Sequence, residues 1–197
     1  MGKGRLEAFS DGVIAIVITI MVLELKVPQG ATVAALSPVL PALLSYVLSF
    51  VYVGIYWNNH HHLLQACTHV SAAVLWANLH LLFWLSLLPF ATGWMGQNQF
   101  AGLPTAIYGV VLLMAACAFW LLQRAIIVSD GPKSPLVNAL GTNLKGTVSL
   151  LLYGTAIVCA TTIPWLSQAI HVFVATLWLL PDRRIERVLR ADKERRP

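Results

Sequence analysis

Residues 5–25 read RLEAFSDGVIAIVITIMVLEL. A polar head with Arg5, Glu7, Ser10 and Asp11 runs directly into an uncharged apolar segment, Val13 to Leu23. An uninterrupted run of this kind is the signature of a membrane helix rather than of an amphipathic surface helix. On a helical wheel of about 100° per residue, Phe9, Gly12, Ile20, Leu23 and Val27 fall within roughly 40° of Ile16. Thr19 lies at the edge of that stripe, about 60° away, and Asp11 points almost the opposite way. Lipid tails are as apolar as Leu, so a helix in lipid needs no special stripe for burial. A stripe flanked by a hydroxyl and backed by a carboxylate fits a helix with two jobs. One face meets a lumen or a partner, and the other makes a polar contact inside a bundle. Plain packing of Ile and Leu at helical spacing is the alternative reading.

The rest of the chain has the same character. Of its 197 residues, 58% are hydrophobic and 11% are charged. Soluble domains carry about 25% charged residues. The apolar runs are continuous rather than alternating, which disfavours a β-barrel. About six spans of roughly 20 residues are expected. They are 6–27, 39–57, 71–90, 104–128, 136–160 and 164–181. The second continues into a polar stretch, Asn58-Asn59-His60-His61-His62. A loop containing Gly and Gln is expected from Gly93 to Gly102, and a turn at Ser129-Asp130-Gly131-Pro132. Lys3 and Arg5 would suit a signal peptide, but Glu7, Asp11 and the Pro28-Gln29-Gly30 context do not, so the first span is expected to be retained.

Seven of the thirteen Lys and Arg residues follow Leu180, in a basic tail at 182–197. Lys3, Arg5, Arg124, Lys133 and Lys145 fall on the same side, which places both termini in the cytoplasm. The net charge of +5 therefore reads as attraction to anionic lipid, with no nucleic-acid partner implied. Cys67, Cys117 and Cys159 are far apart and read as small core residues. No metal site and no cofactor are expected. His60, His61 and His62 are consecutive and point three ways on a helix, whereas metal sites favour i, i+3 or i, i+4 spacing. One or two of these imidazoles are expected to hydrogen-bond Asp11 or backbone at the helix ends. Asn78, deep in the third span, calls for a partner on another helix. There is no phosphate loop, nucleophile elbow or paired carboxylate, so an enzyme is not expected.

Arg5-x-x-x-Phe9-Ser10-Asp11 resembles the R-x-x-x-F-S-D signature of the transmembrane protein 175 family of potassium channels. Tyr56-Trp57-x-Asn59-His60-His61-x-Leu63 is similar to that family's second-helix motif. Asn78 and Ser86-Leu87-Leu88-Pro89-Phe90 are similar to its third helix. The resemblance implies an all-α integral membrane protein with six transmembrane helices per chain. It also implies a homotetramer in a prokaryotic inner (plasma) membrane, with the first helices lining a central pore. On that reading residues 1–181 are the channel domain and 182–197 a cytoplasmic tail. Potassium ions, further copies of the chain and membrane lipids are the implied partners. The resemblance places the gate at Ile16, Ile20 and Leu23 and a selectivity layer at Thr19. It places a structural polar network at Arg5, Phe9, Ser10, Asp11, Trp57, Asn59, His60, His61 and Asn78. Two other readings stay open from the residues: a proton-coupled secondary transporter using Asp11 and His60–His62, and a non-conducting scaffold.

Overall fold

The protein is described from a computed structural model over residues 2–131 and 144–179. Its helices are α1 (Lys3–Leu23), α2 (Leu40–Ala66), α3 (Ala72–Ser86), α4 (Leu88–Gln97), α5 (Gly102–Asp130), α6 (Leu144–Ala160) and α7 (Pro164–Leu179). A 3-10 turn at Val33–Leu36 lies between α1 and α2. Four spans are long and apolar enough to cross a bilayer: Lys3–Leu23, Leu40–Ala66, Ala72–Gln97 and Gly102–Asp130, with Leu144–Ala160 a shorter apolar helix. The chain is an all-helical integral membrane protein.

The third crossing is bent. Pro89 sits in the first turn of α4. Its ring removes one backbone donor and crowds the preceding turn, so the helix breaks at Leu87 and restarts. The Gly93–Gly102 loop expected from the sequence is mostly helix, because α4 continues to Gln97. Gly96 serves close packing there rather than a turn. A Cβ on it would lie 2.7 Å from Ala42 Cα on α2 and would also collide with Ser45 Oγ. Small residues that let two backbones approach are the usual helix contacts in membranes. The real turn is tighter, with Gln99 and Phe100 at φ 50° and 59°.

Other boundaries also move. The first span ends at Leu23 rather than at residue 27. Val27 precedes Pro28, and a residue before proline is pushed out of the helical region. The second does not stop at Trp57 but continues to Ala66. Trp57 reaches Asp11 on α1 and His60 reaches Asn78 on α3, while Asn59 and His61 bond within α2, so polarity does not end the helix. The fourth runs two residues further than expected at each end, Gly102–Asp130 rather than 104–128. Residues 136–143, Pro181 and the tail 182–197 lie outside the described residues.

α5 is the hub. It packs against α3, α4, α6 and α7, and α2 packs against α1, α4 and α7. Leu112, Ala115, Ala118, Leu122 and Ile126 of α5 are fully buried. α1 lies at one edge and touches α2, α3 and α4.

Candidate pore helix and its polar anchor

α1 has one packed face. Leu6, Ser10, Ile14, Val17 and Met21 recur at three- and four-residue steps and are all buried. The stripe centred on Ile16 lies roughly 120° around the wheel from that face. Ile16 is 58% exposed, Ile20 42% and Leu23 80%. Thr19 is exposed beside them, and its hydroxyl donates to Ile16 O at 2.9 Å. With its proton held by the helix's own carbonyl, the Thr19 oxygen turns its lone pairs outward. Phe9 is exposed on the same side. Val27 follows the end of the helix and is not part of its face.

Near the N-terminal end of α1, three of the sequence candidates meet. His60 Nε2 lies 2.7 Å from Asn78 Oδ1. Asn78 Nδ2 donates to Ser10 Oγ at 3.0 Å, and Ser10 Oγ donates to Leu6 O at 2.9 Å. The direction is set along the whole chain. Because the Asn78 amide nitrogen donates to Ser10, its oxygen must accept, so His60 carries its proton on Nε2. Ser10, His60 and Asn78 are each essentially buried. Each of the three side chains is hydrogen-bonded, and buried polar networks of this kind rigidify the helices they link. It joins α1, α2 and α3.

The other candidates sit around this chain rather than in it. Asp11 Oδ1 accepts from Trp57 Nε1 at 3.0 Å on the exposed rim. His61 stacks on Trp57 with ring centroids 6.1 Å apart and hydrogen-bonds Gln65. His62 Nδ1 is buried without a partner among the described residues. Asn59 donates back to Ile55 O of its own helix and faces away from the network. Arg5 is exposed, and its guanidinium makes no hydrogen bond or ion pair to any described residue. The expectation of one network containing all nine residues therefore contracts to Ser10, His60 and Asn78, with an Asp11–Trp57 contact beside it. The expected imidazole contact to Asp11 is replaced by the Trp57 indole.

Two anchors escaped the sequence reading. Lys3 Nζ donates to Gln65 O at 2.7 Å and ties the start of α1 to the end of α2. Asp130 closes α5 by accepting from Thr68 Oγ1 at 2.6 Å and from the backbone amides of Thr68 and His69 at 3.1 and 3.0 Å. A carboxylate at a helix C-terminus is disfavoured by the helix dipole unless donors meet it. That misfit was the available signal. Next to this clamp, burial raises the Cys67 thiol pKa, with the Asp130 charge adding to the effect.

Residues 5–89 match a family model described as the endosomal/lysosomal potassium channel TMEM175. A protein named as a potassium channel from Chryseobacterium sp. (strain P1-3) is 52% identical over 192 residues, covering 98% of this chain and 100% of that one. Another potassium channel, from Streptomyces collinus, is 32% identical over 185 residues, covering 88% of this chain and 89% of the relative. Among solved structures, the crystal structure of a lysosomal potassium-selective channel TMEM175 homologue from Chamaesiphon minutus superposes with a TM-score of 0.78 at 28% identity, covering 91% of this chain and 97% of that one. The packed helices, the bend at Pro89 and these likenesses along nearly the whole length lead to one assignment: the chain belongs to the TMEM175 family, in its single-repeat prokaryotic branch.

Proposed function

We propose that this chain is one subunit of a potassium-permeable cation channel, in which four copies place their α1 helices around a central pore. The observation that carries this reading is the asymmetry of α1. Its Leu6–Ser10–Ile14–Val17–Met21 face is packed within the subunit, while the face bearing Ile16, Thr19, Ile20 and Leu23 is left bare. The chain sits in a prokaryotic inner membrane with both termini and the tail 182–197 in the cytoplasm, and residues 1–181 form the conducting domain.

Rings of Ile16, Ile20 and Leu23 make an apolar neck. Water leaves a narrow apolar neck, and an ion that would lose its hydration shell there cannot pass. Opening tilts or rotates the α1 helices until the neck wets. Potassium then passes largely hydrated, so discrimination against sodium is modest. Thr19 supplies the nearest oxygens, with lone pairs already turned outward by its bond to Ile16 O. The Ser10–Asn78–His60 chain holds the inner end of α1 while the neck moves.

The test is a potassium-gradient flux assay in liposomes together with planar-bilayer recording. Ile20→Asn should raise resting flux severalfold, with unitary currents in both proteins. Thr19→Val should lower the preference for potassium over sodium while leaving unitary currents. Unchanged flux and selectivity in both variants, with intact tetramers, would remove this face from the pore. Slow coupled flux without unitary steps would instead point to a transporter.

A further inference from the structure

α2, α5, α6 and α7 do not close completely on one another. Between them is a cavity of about 120 Å³, and no α1 residue lines it. It is therefore separate from the pore face. Its walls are aromatic, with Tyr56, Phe119, Trp120, Tyr153 and Trp178 on four helices. Among the described residues that line it, none carries a charge. One group is out of place. Gln123 is only 7% exposed, lines this cavity, and makes no side-chain hydrogen bond to any described residue. Its amide opens onto the cavity rather than being sealed among side chains, and nearby Ser149, which also lines the cavity, is already satisfied by Trp178 Nε1 and Lys145 O.

Volume and chemistry together define an occupant. A single water fills roughly 30 Å³, whereas an apolar cavity of about 150 Å³ takes a benzene ring. The space here matches one six-membered ring, and the aromatic walls favour stacking or edge contacts. Two amides line it; Asn59 donates to Ile55 O of its own helix, which leaves the Gln123 amide to read one hydroxyl. The absence of charged lining disfavours a carboxylate or an ammonium. We propose that this cavity is a binding site for a neutral monocyclic phenol, with its ring among the aromatic side chains and its hydroxyl on the Gln123 amide.

The test uses 4-fluorophenol, observed by fluorine NMR, with the full-length protein in phosphatidylcholine nanodiscs. Wild-type protein should show a saturable bound component above the non-saturable partition into lipid. Unlabelled phenol should displace it better than toluene does. Ala116→Phe puts a side chain into the cavity from α5 and should remove the saturable component while leaving lipid partition unchanged. Gln123→Leu keeps the size of the side chain but not its amide, and should cost phenol about tenfold in affinity while leaving toluene unchanged or tighter. Saturable binding that survives in correctly assembled Ala116→Phe, or a phenol-to-toluene preference indifferent to Gln123→Leu, would overturn the assignment. If Ala116→Phe does not assemble, the preference ratio in Gln123→Leu decides alone.

Discussion

α1 and α5 are both long, uncharged through their middles and rich in Ile, Leu and Val, yet they occupy opposite situations. Half of α5's most apolar stretch is buried within the chain, against 28% of α1's. α5 is surrounded and filled with small residues where neighbours press on it, whereas α1 is held by one face and one polar chain. Similar composition thus supports a structural post in one case and a helix with a free side in the other. The difference lies in which residues along each helix meet neighbours. The hydrophobic effect does not choose a face in lipid, so packing and hydrogen bonds do.

This contrast can be broken or sharpened by mutation. The largest effect should come from Ala118→Phe on α5, where the Ala118 side chain is fully buried. Overpacking there should cost about 3 kcal/mol, seen as a fall in the melting temperature of the detergent-solubilised protein. An unchanged melt would mean that α5 is looser than its contacts show. Next is Asn78→Ala, which leaves His60 Nε2 and Ser10 Oγ without each other's bridge. The expected loss is about 2 kcal/mol, with faster hydrogen exchange at the start of α1. If the exchange increase appears in α5 instead, the network does not anchor α1.

A smaller effect is expected for Trp57→Phe, which removes the rim bond to Asp11. About 0.5–1 kcal/mol should be lost in the same melt, because water can replace an exposed partner. Ile16→Ala on the bare face of α1 should change stability least, by less than about 0.5 kcal/mol, while altering potassium flux. A loss of 2 kcal/mol or more at Ile16 would mean that this face is tightly packed in the assembly, and the contrast with α5 would fail.

Some features were legible in the residues before any coordinates. The third span was expected to begin at residue 71, and Ser71 is the residue that caps α3, accepting from Val74 N. Asn78 needed a partner, and it has two. The polar stretch after Trp57 was harder to place. Polar residues usually signal a helix end, but here the helix carries on: His60 reaches Asn78 on α3, while Asn59 and His61 bond within α2 itself. Gly93 and Gly96 looked like a loop for a similar reason. Nothing local distinguishes a glycine used for a turn from one used to admit a neighbouring helix. The Gln123 cavity had no sequence signature at all, since it is the space that four helices leave between them.

The sequence alone determined that this is a helical membrane protein, roughly where its spans lie, and which helix carries the family signature, because length, apolarity and motif are local properties of the chain. Only the tertiary structure decided which imidazole joins Ser10 and Asn78, that Asn59 turns away from them, and which side of α1 remains uncovered. Those outcomes depend on the angle at which one helix meets the next. That angle is set by contacts such as Gly96 against Ala42, between residues far apart along the chain.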